Sequence, residues 1–511
     1  MKSIFKYIVP GIAVLLAAGG CSNFEEMNTD PDKTTKVNPA LLCTSALTTM
    51  AKFSGDAKAY IATAALPKYV AYAQEGQMAE QYNNIGRGSF SLYAVFPNLD
   101  DMVSFASKSG TYEVSPYRGV EHFVKAYILY RLTLEMGDIP CSQAGKGMTE
   151  GIMKVKYDPQ EQVFATVLAY LQTAADNFSQ SSANFAGDIF FGGDPSKWLK
   201  ATNALRLKVL MSLSEHTDNT TLNIKAAFAD IVRDGRLMES NADNLALAYV
   251  DKPNSYHPLY STNDKFVVNT MMSSFVVDKL KALNDYRLFY YAAPYENAAT
   301  DGYTADQMEA YRGVDVTLDF TGINTAYNSR DYSLLNKRYV SQKASEPLVL
   351  IGYAEQCLLI AEAIERGWVN GTSQTYYENG VRAALAFVMG LDASTVGKAV
   401  TQAYIDGYFT GEAAYKSSST DRLHQIWDQK YLMTFLQDCD NAYFEYRRTG
   451  WPQLPIDPST SLNVNAPDKL PVRWMYPSNE ETTNKNNLLE ALNRQFGNEA
   501  DEINGLMWLL K

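Results

Sequence analysis

Twelve of the chain's 34 tyrosines fall between residues 241 and 340, about a fifth of its length. Tyr286, Tyr290, Tyr291, Tyr295, Tyr303, Tyr327 and Tyr332 stand there among Asn297, Asp301, Asn324, Asn328, Arg330 and Asp331. That mixture suits carbohydrate. A sugar ring presents an apolar C–H face to an aromatic ring, and its hydroxyls need planar polar partners at the rim. A second aromatic string runs from Tyr82-Asn83-Asn84 to Phe90 and Tyr93. The candidate ligand-binding residues are therefore Tyr82, Asn83, Phe90, Tyr93, Tyr286, Tyr290, Tyr291, Tyr303, Tyr327 and Tyr332. Each ring can equally serve as loop packing. The 241–340 stretch has no tryptophan, which keeps peptides and small glycans open beside longer ones.

Cys21 is placed for a different chemistry. Lys2 and Lys6 precede an apolar stretch, Ile8 to Ala18, too short to span a bilayer. Leu16-Ala17-Ala18-Gly19-Gly20 then lead into Cys21, small residues that fit a signal peptidase. A thiol there accepts diacylglycerol, and two or three acyl chains anchor a protein firmly. Residues 1–20 read as a lipoprotein signal, and 21–37 as an acidic, turn-rich tether.

Catalytic constellations are scarce. Glu355 and Glu362 share a helix face, but seven residues separate them by about 10 Å along the axis. Glycosidase carboxylates lie about 5–5.5 or 6.5–9.5 Å apart, so the pair reads as structural. Arg447-Arg448-Thr449-Gly450 has two readings. It can bind an anion, or it can close a helix, with arginines on the last carbonyls and glycine in a left-handed cap. There is no nucleophile elbow, HExxH, Walker loop or dinucleotide fingerprint. The reading is a binding protein and not an enzyme. A surface glycosidase and a ligand-free scaffold are the rivals from other classes.

No cofactor is expected. Asp30, Asp32, Asp100 and Asp101 leave a structural calcium open, without EF-hand spacing. His122, His216, His257 and His424 include no i, i+4 pair, and Cys43, Cys141, Cys357 and Cys439 show no CxxC pattern. Cys43 and Cys357 sit among apolar helical residues, where a buried free thiol is the expected state. The formal charge is −12, and loss of Lys2 and Lys6 takes it to −14. That acidity disfavours nucleic acid and a polybasic membrane contact.

The elements that must position these residues are helices. Asn38-Pro39 is an N-cap and N1 pair, with Leu41, Leu42, Ala46 and Leu47 on one stripe. Periodicity predicts further helices at 117–136, at 158–178 from an Asp158 cap, and from Asp194-Pro195 to Leu213. Others follow at 223–236, 274–283, 346–366, 373–389, 421–446 and 486–495. Pairs such as 117–136 with 158–178, and 347–366 with 373–389, suggest tetratricopeptide-like hairpins with an uneven period. The fold class is all-α, with hairpins carrying long irregular loop insertions. Residues 38–511 form the helical unit, and 217–345 its loop-rich insertion.

Several strings, in order, resemble one family. Gly137-Asp138-Ile139-Pro140 with Ala144 is similar to "GD-V/I-P-Y-x-x-A", with Cys141 for Tyr. Lys197 to Leu207 is similar to "W-x-K-x-A-N-S-L-x-L-R", and Asp285-Tyr286-Arg287-Leu288 to "D-P-R-L" with Tyr286 for Pro. Tyr353-Ala354-Glu355 and Ala361-Glu362-Ala363 to Gly367 match "Y-A-E…A-E-A-x-x-R-G". Gln429-Lys430, Glu445, Arg447 to Gly450 and Pro452 match "Q-K-W…E-x-x-R-R-T-G-x-P". Pro471-Val472-Arg473 with Tyr476-Pro477 is similar to "I-P-x-R-x-x-Y-P". Behind Cys21, Glu25-Glu26 resembles the surface-export signal of Bacteroidetes lipoproteins. The chain is identified as a member of the SusD/RagB-like nutrient-binding lipoproteins of Bacteroidetes, most similar to the second subgroup. The resemblance implies a protein lipid-anchored in the outer membrane and facing the cell exterior. It also implies a partner, a SusC-like TonB-dependent barrel that this chain caps and feeds with oligosaccharide or, alternatively, peptide.

Overall fold

Asn38 and Pro39 open the first helix, α1 (Pro39–Ala51). The Asn38 Oδ1 accepts the Leu41 N–H at 2.9 Å, and proline has no N–H to leave unpaired. The computed structural model describes residues 37–511 except 74–75, 261–267 and 392–395. Cys21, Asp30 and Asp32 lie outside the described residues. Cys43, Ala46, Leu47 and Met50 form the buried side of α1, whereas Leu41, expected on that stripe, is 46% exposed.

Next come α2 (Ala57–Ala65), α3 (Phe96–Ser109), α4 (Val114–Met136), α5 (Gln160–Gln180), α6 (Pro195–Ser212) and α7 (Ile224–Asp234). Val120, Phe123, Val124, Tyr127 and Ile128 recur at helical spacing on α4 and are buried. They meet the Val163, Phe164, Val167 and Leu171 face of α5, the broadest helix pair of the molecule, and α5 packs in turn on α6. Gly137 stops α4 with φ +90°; a Cβ there would sit 2.2 Å from the Gln495 amide oxygen.

The start of α5 corrects the expected cap. Asp158 is held extended by its N–H on the Ile139 carbonyl, 2.9 Å. Its carboxylate accepts the Cys141 and Ser142 N–H groups at 2.9 and 2.8 Å. The α5 cap is instead Asp138, whose Oδ1 accepts the Gln160 N–H at 2.8 Å. The Gly137-Asp138 string therefore ends one helix and begins its partner. At α6 the expected pair holds: Asp194 accepts the Ser196 N–H at 2.8 Å and Pro195 occupies the first turn.

The remaining long helices are α8 (Ser274–Ala282), α9 (Phe320–Ser329), α10 (Tyr353–Glu365), α11 (Ser373–Met389), α12 (Ser419–Met433), α13 (Cys439–Thr449) and α14 (Lys485–Phe496). α10 pairs with α11 as the second hairpin, and also touches α6 and α12. Two expected helices are shorter. Residues 348–351 are a strand that pairs with 245–247, so α10 begins only after Gly352. The expected 421–446 helix breaks at 434–438, where Leu436 takes φ +50°. Tertiary bonds hold the break: the Leu436 carbonyl accepts the Tyr60 hydroxyl at 2.8 Å, and Thr434 pairs with the Tyr69 hydroxyl at 2.8 Å.

The architecture is all-α, with tetratricopeptide-like hairpins. Among the described residues the sheets are two antiparallel pairs: β1 (Val70–Tyr72) with β3 (Thr270–Met272), and β2 (Leu245–Leu247) with β4 (Leu348–Ile351). Val70 faces Met272 and Tyr72 faces Thr270. These pairs fasten the 217–345 stretch to the helices. One apolar core runs from Cys43 to Leu509. A satellite core of Ala71, Ala73, Met271, Val314, Val316, Ile323 and Tyr332 lies under the β1–β3 face.

Candidate functional site

Much of the tyrosine-bearing stretch lies outside α8 and α9, and there buried polar groups hold it. Arg287 and Asp285 are both at 0% exposure and meet through bonds of 2.6 to 3.1 Å. Arg287 also reaches Gln429 Oε1 on α12 at 2.7 Å. Arg338 pairs with Glu346 and donates to the Tyr290 carbonyl at 3.0 Å. Asn336 donates to the Phe289 carbonyl at 3.2 Å. A loop can be buried when its polar groups find such partners.

This skeleton sorts the candidate residues into three places. Phe90 and Tyr93 pack with Tyr157 and Tyr476, and the Tyr93 hydroxyl donates to the Pro140 carbonyl. Tyr286, Tyr290, Tyr291 and Tyr303 lie against the main core. Tyr286 stacks on Tyr404 at 3.9 Å and 13°, and Tyr291 stacks on Phe435 at 4.5 Å. Tyr290 and Tyr291 are buried, and their hydroxyls bond Val400 N–H and the Leu432 carbonyl at 3.3 Å each. Both are nearly fully buried, and Tyr291 also stacks on Phe435, an arrangement that fits loop packing.

Tyr327 and Tyr332 pack on the satellite core under the β1–β3 face, and Tyr82 and Asn83 lie on the turn that bonds to the segment preceding α9. The Tyr82 hydroxyl donates to the Leu318 carbonyl at 3.1 Å, and the Gln81 amide to the Val316 carbonyl at 3.3 Å. The 78–84 turn is thereby pinned to the 312–332 segment. Tyr82, Asn83 and Tyr332 are themselves buried. Burial pushes the Tyr82 phenol up to about 12, which keeps it a neutral donor. Asn83 adopts φ +62° and accepts the Lys68 ammonium at 2.6 Å. Lys68 also donates to the Gln81 carbonyl, and burial lowers its pKa to about 7.

Tyr327 is the partly exposed ring of this group. It stacks on Tyr332 at 5.8 Å and 29°, and its hydroxyl donates to Asn269 Oδ1 at 2.8 Å. Around it stand the exposed Arg330–Glu296 pair, at 2.6 Å, and Arg312 beside Asp331. Arg312 also lies 4.0 Å above the Tyr295 ring. This is an aromatic plate edged with planar hydrogen-bonding groups, able to hold a sugar ring and its hydroxyls. Asn269, Glu296 and Arg312 were not singled out from sequence. A polar residue's relevance depends on which ring it reaches, and sequence does not give that.

The other chemical candidates are structural. Glu355 meets Lys208 at 3.1 Å and Asn441 at 3.0 Å. Glu362 is at 0% exposure and binds Arg448 at 2.7 and 2.9 Å. Burial pushes the Glu362 carboxyl up, but Arg448 and Lys430 outweigh it and hold the pKa below the usual value. Arg447 donates to the carbonyls of Val472 and Leu134 at 2.5 and 2.7 Å, so it serves the last turn of α4 and not its own helix. Gly450 takes the left-handed cap with φ +69°. Asp100 pairs with Lys125 at 2.5 Å, and among the described residues no group of three or more His, Cys, Asp or Glu could hold a metal. Cys43, Cys141, Cys357 and Cys439 are free and buried. No helix among the described residues is long and apolar enough to cross a membrane.

Known proteins share this architecture. A SusD homologue from Bacteroides fragilis superposes with a TM-score of 0.87 at 39% identity, covering 93% of this chain and all of the other. An outer-membrane protein from Bacteroides vulgatus described in connection with nutrient binding gives 0.84 at 32%, with the same coverage. A chitin-binding protein shares the fold, with a TM-score of 0.72 at 23% identity over 93% of this chain and all of the other. No curated protein sequence matches the chain. The sequence profile of the SusD-like proteins, second subgroup, described as starch-binding and associating with the outer membrane, matches residues 31–477. The chain therefore belongs to the SusD-like family.

Proposed function

We propose that this chain is a lipid-anchored surface protein that captures an oligosaccharide and delivers it, as a lid, to a SusC-like TonB-dependent barrel. One observation carries the reading: the match to an outer-membrane, starch-binding family over residues 31–477. The Tyr327 face supports capture by ring stacking and hydrogen bonds, with no bond broken. The carboxylates that could have served hydrolysis are committed to Lys208, Asn441 and Arg448. The anchor is the Cys21 lipid, and the chain faces outward.

Calorimetry of the chain against glycans and a peptide digest tests the ligand class. Heat from one glycan class, weakened by Tyr327→Ala, is the expected result. Heat from the digest alone replaces the oligosaccharide with a peptide. The anchor has its own test: Cys21→Ser releases the protein from the outer-membrane fraction, and retention of that variant removes the lipid from the account. Co-isolation of a barrel with the wild-type chain checks the partner; its absence favours a scaffold.

A further inference from the structure

A second aromatic plate lies in a cleft that shares no lining residue with the Tyr327 face. α8, α12 and the turn after α13 border about 1090 Å³ of space open to solvent. Trp451 is its aromatic wall. The preceding Gly450 caps α13, and the Trp451 N–H donates to Thr449 Oγ1 at 3.1 Å, so the indole is fixed where the helix ends. The ring lies parallel to the His424 imidazole, 3.8 Å away at 3°. Its Nε1–H donates to Asp428 Oδ1 at 3.0 Å, and Lys279 Nζ donates to the same oxygen at 2.7 Å. The floor is tied down as well: Gln429 is held between Arg287 and Tyr408, and Gln425 donates to the Ala413 and Ala414 carbonyls.

What is left unbonded points to a ligand. The second oxygen of Asp428 and both ring nitrogens of His424 make no hydrogen bond among the described residues. They border a face-to-face ring stack that is already locked, with His424 on the Trp451 ring and Lys279 Nζ 5.7 Å over the same ring, so a ligand stacking on its outer, imidazole face need not order it. The lining carries Lys279 and Lys416 against Glu412, Asp421 and Asp428. That mixed and slightly acidic rim gives no attraction for an anion. A neutral, flat-faced molecule rich in hydroxyls fits this chemistry best.

We infer that this cleft is a second glycan-binding site, in which a pyranose ring lies on the outer face of the His424–Trp451 stack and hydroxyls at its rim meet Asp428 and the His424 ring nitrogens. The ligand class rests on the reading proposed above; the location does not. Two plates on one chain would hold a long oligosaccharide at two points, or two chains at once, and raise effective affinity without a new contact.

The test titrates the full chain with maltohexaose, cellohexaose, xylohexaose and chitohexaose, read by calorimetry and tryptophan fluorescence. The expected result is a hexaose whose binding shifts the tryptophan emission. His424→Ala and Trp451→Ala each weaken that phase at least tenfold, and Tyr327→Ala leaves it in place. His424→Ala guards against misfolding, since it spares the indole and its bond to Asp428; melting curves verify both variants. Hexaose binding that is lost in Tyr327→Ala but unchanged in both cleft variants overturns the second site and leaves the proposed function standing. Loss in Trp451→Ala alone, with a lowered melting temperature, overturns it too, because the ring is then packing. Silence from all four hexaoses overturns both.

Discussion

In the α4–α5–α6 stack, the residues at zero exposure are mostly apolar, among them Val120, Phe123, Val124, Ile128, Val163, Phe164, Val167 and Leu171; the polar Thr133 and Thr202 are there too, each donating to a carbonyl four residues away. In the 217–345 insertion, Asp285, Arg287, Ser333, Thr270 and Ser273 are equally sequestered, beside Phe289 and Tyr311. The stack hides its polar backbone inside helices, so its side chains can be apolar. The insertion has mostly irregular backbone, and its carbonyls and amides must be met by side chains and by short strand pairs. Depth of burial is the same; the means of satisfying it differ. That difference explains how the insertion can carry a partly exposed ring such as Tyr327. Its side chains are anchored one by one, so single rings such as Tyr327 can be presented without disturbing a packed stripe.

The comparison breaks most directly at Arg287. Arg287→Ala leaves Asp285 buried without its cation and Gln429 without a donor, and removing one partner of a buried pair costs about 3–5 kcal/mol. Phe123→Ala in the stack loses transfer energy and leaves a cavity, also about 3–5 kcal/mol. Urea denaturation of the two variants should therefore give similar losses. A loss below about 1 kcal/mol for Arg287→Ala would show that the insertion does not depend on its ion pairs.

The same contrast governs what was legible in the sequence. Helices with a clean stripe were placed closely: 373–389 is α11, residue for residue, and 274–283 is α8 within one residue. Caps were legible where the partner is local, as at Asn38 and Asp194. They failed where it is distant: Asp158 is drawn away by Cys141 and Ser142, and Asp138 caps across 22 residues. The 421–446 pattern kept its apolar period through a break held by distant partners, among them Tyr60, Tyr69 and Glu346. In the insertion, composition identified a tyrosine-rich, functional-looking stretch. It could not separate the buried Tyr290 and Tyr291, whose hydroxyls meet Val400 and Leu432, from the partly exposed Tyr327. Strand pairing and long-range hydrogen bonds decide that, and neither has a sequence period. Trp451 directly follows the Arg447 to Gly450 string, but nothing local places it beside His424.

Acid separates the two regions by sign. His257, in the insertion, has its pKa lowered to about 3 by burial and then by Arg338. Between pH 6.5 and 3 the unfolded chain binds this proton and the native one does not, so stability falls as pH drops below 6.5. The loss from this group reaches about 2–3 kcal/mol by pH 4.5. Glu135, on α4, has its pKa raised to about 7, chiefly by burial. Here the native state takes the proton first, so stability grows as pH falls from 7 toward 4.5. His257→Gln should flatten or reverse the acid loss over this range, and Glu135→Gln should steepen it. Chemical denaturation at pH 7.5, 6 and 4.5 reads both. Parallel curves for wild type and His257→Gln would mean that this histidine is hydrated and titrates normally.

The smallest contrast lies at the helix starts. Asp194 caps α6 within the stack, and Asp319 caps α9 on the insertion, accepting the Gly322 N–H at 2.7 Å. Each cap is worth about 1 kcal/mol by substitution with alanine. What differs is the helix behind it. α6 runs Pro195–Ser212 and is buried along much of its length, while α9 runs Phe320–Ser329 and buries Ile323 alone. Packing holds α6 helical after the cap is lost, so Asp194→Ala should lower global stability by that amount and leave local exchange unchanged. α9 has little packing to fall back on, because a ten-residue helix is marginal without tertiary support. Asp319→Ala should therefore fray α9, seen as faster hydrogen exchange at residues 322–327, with a smaller change in the global midpoint. Fraying there loosens the Tyr327 ring, so this exposed capping residue should weaken glycan binding without touching the ligand. Unchanged exchange in the Asp319→Ala protein would mean that the Tyr82 and Thr460 bonds to the 317–318 carbonyls already hold the segment, and that the plate is as rigid as the stack beneath it.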